Sequence, residues 1–163
     1  MGKKIIFENE YFKIHLKDNV ISLENLKGGA AILPITKDNK VLLAKIYRSI
    51  IDEISLEVPR GFSEKTENLE QTAKREMIEE ISCSSNNIID MGSFYPDTGL
   101  MSSEIKLYLG LDTVIDESDL QQEEGVRSLE LYDYDRVYKM AINGEIKDAY
   151  TLAAILRSSK YIS

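Results

Sequence analysis

Three glutamates, Glu76, Glu79 and Glu80, stand at i, i+3 and i+4 in the run Arg75-Glu-Met-Ile-Glu-Glu-Ile-Ser-Cys83, eight residues beyond Gly61-Phe-Ser-Glu-Lys-Thr-Glu67. On a helix this spacing sets the carboxylates beside one another just after a glycine loop. Grouped carboxylates hold hard divalent cations well, and such cations commonly serve phosphate chemistry. At about 100° per residue, Leu69 and Ala73 define the inward direction of that helix. Glu80 projects between those two, Glu76 lies about 20° to the other side of Leu69, and Glu79 lies about 80° away, on the side of Thr72. Ionised carboxylates aimed at the protein body are costly unless they are paired or bind a metal. Arg75, four residues before Glu79, accounts for one of the three by local ion pairing. The wheel favours a metal site over ion pairing alone.

The elements that must position these groups are readable in outline. The helix starts near Asn68, whose side chain caps the N–H of Gln71 while Gln71 reaches back. Residues 69–81 contain no Gly or Pro and are rich in good helix formers. Residues 4–7, 11–16 and 20–24 read as N-terminal strands. Gly28-Gly29 breaks the pattern before residues 30–35. Lys37-Asp-Asn-Lys40 is a turn signal, and residues 41–47 follow as a buried strand, so 30–35 and 41–47 are expected to form a hairpin. A further strand at 53–58 is ended by Pro59. Strands recur at 88–95, 105–111 and 128–132, and helical periodicity at 135–141 and 149–158, with Gly144 between. This mixed order predicts an α/β or α+β sandwich.

Composition narrows the partners. The 163 residues suit one compact domain, and no repeat or linker divides them. No apolar run approaches the roughly 18 residues of a membrane span, and the apolar part of the basic N-terminus is too short for a signal segment. The single cysteine excludes an internal disulfide and a cysteine-rich zinc site. These features predict a cytoplasmic protein that binds no membrane. A formal charge of −8 argues against a nonspecific grip on nucleic acid, and most of the acids are expected to be solvated surface. An anionic substrate would need bound cations or a local cluster of Arg and Lys.

Gly61, Glu67, Arg75, Glu76, Met77, Glu79, Glu80 and Cys83 together resemble the full-length Nudix box, a glycine followed at fixed spacing by Glu and then by Arg-Glu-aliphatic-x-Glu-Glu-x-Gly-aliphatic. Ser82 departs from it, standing where the family usually has the glycine that ends the helix in a left-handed conformation. The resemblance implies an α/β/α sandwich around a mixed sheet, built as a Nudix domain over residues 28–163 with additional strands in 1–27 that pair subunits in a homodimer. It also implies hydrolysis of a nucleoside diphosphate linked to another group, with Mg2+ or Mn2+ as cofactor. Glu76 and Glu80 would be metal ligands, with Glu79 a further ligand or a base and the carbonyl of Arg60 another ligand. Gly61, Glu67 and Arg75 would be structural, Arg75 orienting a glutamate and Glu67 bracing the loop.

Outside the box, Lys45-Ile-Tyr-Arg48, Leu56-Glu-Val-Pro-Arg-Gly61, Phe94-Tyr-Pro-Asp-Thr-Gly99 with the downstream Glu104, and residues 143–154 are similar to segments of ADP-ribose pyrophosphatases. The likeness implies ADP-ribose or a related nucleoside diphosphate sugar as substrate. Arg48, Glu57 and Glu104 are the candidate substrate contacts. Against each stands a plainer reading: an ion pair for Arg48, a brace for the glycine loop or metal shell for Glu57, and an ordinary strand-edge acid for Glu104. Arg60 replaces the common alanine, a change associated with relatives that cleave other ADP compounds, so dinucleotides such as NADH or diadenosine polyphosphates stand as the alternative substrates. A noncatalytic nucleotide sensor is disfavoured because every box acid is present. In the loop Leu120-Gln-Gln-Glu-Glu-Gly-Val-Arg127, Glu123 or Glu124 is the expected base or extra ligand. An acidic surface loop is the competing reading. His15, with no acid or nucleophile near it in sequence, is assigned no role, and Cys83 reads as a small buried hydrophobe.

Overall fold

The computed structural model describes residues 2–116 and 126–162. Glu123 and Glu124 lie outside the described residues. Strands β1 (Lys4–Glu8), β2 (Phe12–Lys17) and β3 (Val20–Asn25) form an antiparallel sheet of their own. Strands β4 (Gly29–Pro34), β5 (Lys40–Arg48), β6 (Glu53–Glu57) and β7 (Arg60–Phe62) lead into helix α1 (Leu69–Ile81). Then come β8 (Cys83–Ser84), β9 (Asn87–Phe94), β10 (Ile105–Leu111), β11 (Val114–Ile115) and β12 (Val126–Asp133), followed by α2 (Tyr134–Ile142) and α3 (Ala149–Ser158). Among the described residues no helix is long and apolar enough to cross a membrane.

The central layer is two sheets. One has the order β7-β4-β10-β9, with β4 parallel to β10 and the other pairs antiparallel; the second is the antiparallel set β12-β5-β6. The expected hairpin of 30–35 with 41–47 is therefore corrected. The turn at 36–40 forms, but β4 and β5 enter different sheets, and the ladder between the two segments is reduced to the isolated bridge Ile35–Val41.

Two cores explain that separation. Ala30 and Ile32 pack with Ala73, Met77 and Ile81 of α1, and Leu42, Ala44 and Ile46 of β5 reach the same core. The alternate residues Ala31 and Leu33 pack with Val137, Met140, Ala154 and Ile155 of α2 and α3, joined there by Val41 and Leu43. Every residue of β4 is buried because it is covered on both faces. Fully buried Ile32 and Leu33 each contribute about 1.5–3 kcal/mol through burial. Helices on both sides of a mixed sheet realise the expected α/β/α sandwich.

The N-terminal sheet docks at one edge. The Leu23 N–H donates to Leu100 O at 2.7 Å, the Ser102 N–H donates to Leu23 O at 3.0 Å, and the Phe12 ring meets Phe62 edge-on at 5.1 Å. On this sheet His15 is buried and its Nε2 lies 2.7 Å from Glu24 Oε2, a cross-strand partner invisible in linear spacing. That hydrogen bond holds the Glu24 carboxyl below its ordinary pKa.

Candidate active site around the strand Arg60–Phe62

Helix α1 carries the box acids, and its ends form as the capping residues require. Asn68 Oδ1 accepts from the Gln71 N–H and Gln71 Oε1 from the Asn68 N–H, both at 2.9 Å. Ser82 closes the helix at φ 49°, the left-handed conformation usual for glycine, with its N–H bonded to Ile78 O. Serine thus keeps the termination that the missing glycine would provide.

Met77, Ala73 and Thr72 are buried on the inner face, and Glu76 joins them at 9% exposure. Gly61 makes room for it: a Cβ at position 61 would overlap the Glu76 carboxylate. Glu80 is half-buried, and its Oε2 accepts the Arg60 N–H at 3.0 Å. Glu79 differs from the helical-wheel expectation. It is solvent-exposed, and its Oε2 is 2.7 Å from Arg75 Nη1.

Arg75 gathers more carboxylates than spacing along the helix suggests. Its Nε reaches Glu67 Oε1 at 2.8 Å, Nη1 reaches both Glu76 Oε1 and Glu79 Oε2 at 2.7 Å, and Nη2 donates to Phe62 O at 2.9 Å. The hydrogen bond to Glu67 leads the interactions that raise the Arg75 pKa, and the same bond lowers that of Glu67. Glu67 also accepts from the Glu64 N–H and the Thr72 hydroxyl, which ties the loop to the helix. Cys83 is buried and its thiol is pushed up to about 12 by that burial, which leaves it an inert packing group.

A second charged centre lies beyond Arg60. Glu57, 2% exposed, accepts from Arg48 Nε at 3.0 Å, Arg48 Nη2 at 2.5 Å and Arg60 Nη2 at 2.6 Å. Burial pushes the Glu57 pKa up, but the two guanidiniums more than offset it and the net shift is downward. Arg60 also reaches Asp148 Oδ1 at 3.2 Å and lies over the Tyr150 ring at 3.9 Å. Asp148 caps α3 through the Thr151 N–H and hydroxyl, and Thr151 Oγ1 accepts the Val58 N–H at 3.0 Å. Asp148, Tyr150 and Thr151 were not singled out by sequence; the only local signal is the capping position of Asp148 before the helix.

Glu104, the residue before Ile105 of the cleft at Arg60, has partners of its own. It accepts from the Ser93 hydroxyl, the first of the interactions that lower its pKa, and from Tyr95. One cleft, about 500 Å3, brings Arg48, Arg60, Gly61, Glu80 and Tyr150 together. The structure thus joins Arg48, Glu57, Arg60, Glu76, Glu79 and Glu80 into one neighbourhood, with Gly61, Glu67 and Arg75 as its frame.

The donor chemistry is that of a hard-cation site, with carboxylate oxygens, a glycine cradle that admits Glu76, and Glu80 anchored to the same strand. Among the described residues no three acid, histidine or cysteine side chains already converge on one point in metal-ligand fashion; the carboxylates of Glu67, Glu76 and Glu79 converge on Arg75 instead.

The NUDIX domain family model matches residues 26–155, and the chain belongs to the Nudix family. Within that family it is a hydrolase of the kind represented by ADP-ribose pyrophosphatases. It is 26% identical over 167 residues to an ADP-ribose pyrophosphatase of Bacillus subtilis (strain 168), covering 95% of this chain and 89% of that protein. It is 29% identical over 130 residues to a methanol dehydrogenase activator of Bacillus methanolicus, covering 78% and 70% respectively. Among solved structures, an ADP compounds hydrolase superposes with TM-score 0.78 at 13% identity, over 99% of this chain and 91% of that one. A Nudix hydrolase from Nitrosomonas europaea superposes with TM-score 0.66 at 19% identity, over 83% and 89%.

Proposed function

We propose that the chain hydrolyses the pyrophosphate bond of ADP-ribose or a related nucleoside diphosphate sugar, with Mg2+ or Mn2+ as cofactor. The observation that carries this reading is the docking of two helical carboxylates on one short strand, Glu76 in the cradle left by Gly61 and Glu80 on the Arg60 N–H. Glu76 and Glu80, with Glu79 and the Arg60 carbonyl, would hold the cation. A divalent ion bound there neutralises the diphosphate and lowers the pKa of a coordinated water.

The protein's own groups do the rest. Arg75 orients Glu76 and Glu79 from one guanidinium, and Arg48 offers charge to a phosphate or base at the cleft. Glu57 holds both Arg48 and Arg60 in place from its buried position. Glu104 is the candidate contact to the distal sugar. Glu79, or Glu123 or Glu124 of the late loop, takes the proton as water oxygen bonds to phosphorus and the bridging P–O bond breaks. Both products leave as monophosphates.

A homodimer fits the N-terminal sheet. Every residue of β1 is exposed, so Ile5, Ile6 and Phe7 leave apolar side chains uncovered on both faces of the strand. We also infer a cytoplasmic location, where nucleotide substrates are abundant.

The deciding experiment incubates the chain with Mg2+ and a panel of nucleoside diphosphate derivatives and identifies the products by mass. AMP and ribose 5-phosphate from ADP-ribose are expected. Cleavage of no panel member, or release of inorganic phosphate as the only product, would overturn the reading.

A further inference from the structure

Arg60 is gripped from both helical layers. On the side of α1 its N–H donates to Glu80 Oε2 at 3.0 Å. On the side of α3 its guanidinium meets Asp148 Oδ1 at 3.2 Å and lies 3.9 Å from the Tyr150 ring centroid. That ring is in turn set edge-on to Phe94 at 5.5 Å. Two residues before Arg60, the Val58 N–H donates to Thr151 Oγ1 at 3.0 Å, and both residues are fully buried. Pro59, between them, has its φ fixed by its ring, and its carbonyl accepts the Ile32 N–H at 3.1 Å. From Val58 to Arg60 the backbone is thus tied to three elements in turn: α3, β4 and α1.

The tie to α3 has a fixed polarity. Thr151 Oγ1 carries one proton and gives it to Asp148 Oδ2 at 2.7 Å, which leaves its lone pairs for the Val58 N–H. Asp148 Oδ2 also accepts the Thr151 N–H at 2.9 Å, as an N-cap does. One carboxylate therefore orients the Thr151 hydroxyl with one oxygen and holds the Arg60 guanidinium with the other. Ala154 and Ile155, a turn further on, anchor α3 in the core beside Ala31 and Leu33. Thr151 is too deeply buried to meet a substrate, so it can act only through the backbone it holds.

We propose that Asp148 and Thr151 are positioning residues for the cation. Through Val58 they set where the Arg60 backbone stands, and with it Glu80 and the Arg60 carbonyl. This rests on the cation site of the proposed function and extends its frame to the first turn of α3, far from the box in sequence.

The test titrates Mn2+ into the chain and follows the free ion by electron paramagnetic resonance, for wild type, Thr151→Val, Thr151→Ser and Asp148→Asn. Circular dichroism checks the fold of each. Removing a group behind a metal ligand sets the expectation that Thr151→Val weakens Mn2+ binding about tenfold. The metal concentration for half-maximal turnover of ADP-ribose should rise with it, while kcat at saturating metal is kept. Thr151→Ser, which keeps the hydroxyl, should bind as wild type does, and Asp148→Asn should weaken binding in the same direction. Wild-type affinity in a folded Thr151→Val, with only a lowered melting midpoint, would make the bond purely structural and overturn the inference. Equal losses in Thr151→Val and Thr151→Ser would overturn it too. If Thr151→Val does not fold, wild-type affinity in Asp148→Asn is the overturning result. A wild type that binds Mn2+ but cleaves no nucleoside diphosphate derivative would remove the pyrophosphatase reading and leave the positioning role to these variants. One that binds no Mn2+ would remove the cation site and this inference together.

Discussion

Two charged centres meet at Arg60, and they are balanced in opposite ways. Beyond its side chain, two guanidiniums, Arg48 and Arg60, hold one buried carboxylate, Glu57, with Asp148 at the edge. Beyond its backbone N–H lie Glu80 and, on the same helix, one guanidinium, Arg75, shared by Glu67, Glu76 and Glu79. The first centre neutralises its charge internally, as a buried acid must. In the second, three carboxylates meet one arginine, an excess of negative charge that an added cation would relieve. Similar residues therefore make a clamp on one side of Arg60 and a receptive site on the other.

Substitutions test that contrast. Glu76→Gln should lower kcat/KM about 10³-fold, roughly 4 kcal/mol of transition-state stabilisation, while the melting midpoint moves by less than about 4 °C. Steady-state kinetics with a thermal melt measures both, and retained activity would place Glu76 in the frame rather than the site. Glu57→Leu should do the reverse in kind. Two guanidiniums lose their buried partner, and urea titration should register about 3 kcal/mol of lost stability.

Acid offers a second probe of the clamp. Because the folded pKa of Glu57 is depressed, its contribution is complete above the ordinary glutamate value of about 4.3 and is lost as pH falls through the lower folded value. Glu57→Gln should flatten the stability profile in that acid window, as followed by pH-dependent urea midpoints. A steepening there would contradict the assignment. The smallest effect belongs to Glu79→Gln, whose exposed ion pair with Arg75 should contribute less than about 0.5 kcal/mol to stability by the same titration.

Much of this arrangement was legible in the residues, for local reasons. Helix α1 has the predicted bounds because Asn68 and Gln71 start it and no Gly or Pro interrupts it. The order of strands and helices pointed to an α/β or α+β sandwich, and the likeness of the box to the Nudix family supplied the α/β/α layering. Strand partners were less legible: a turn signal at 37–40 marks a reversal but does not say whether the flanking strands pair. The apolar run of β4 carried the missing signal, since a strand buried on both faces needs helices above and below rather than a hairpin neighbour. Glu79 lay farthest from the inward direction on the wheel, about 80° from Leu69, and at that offset with Arg75 one turn before it the side chain stays in solvent.

The pairing of β4 with β10 carries a consequence for synthesis. Ala30 lies opposite Lys106 in a parallel ladder, and the loop behind Val58 is tied to Thr151 by a bond spanning 93 residues. Contacts of such separation form slowly, because the intervening chain must be closed before they reward it. During translation the six-residue apolar strand β4 emerges long before the partners that cover it, leaving an aggregation-prone segment exposed on the nascent chain.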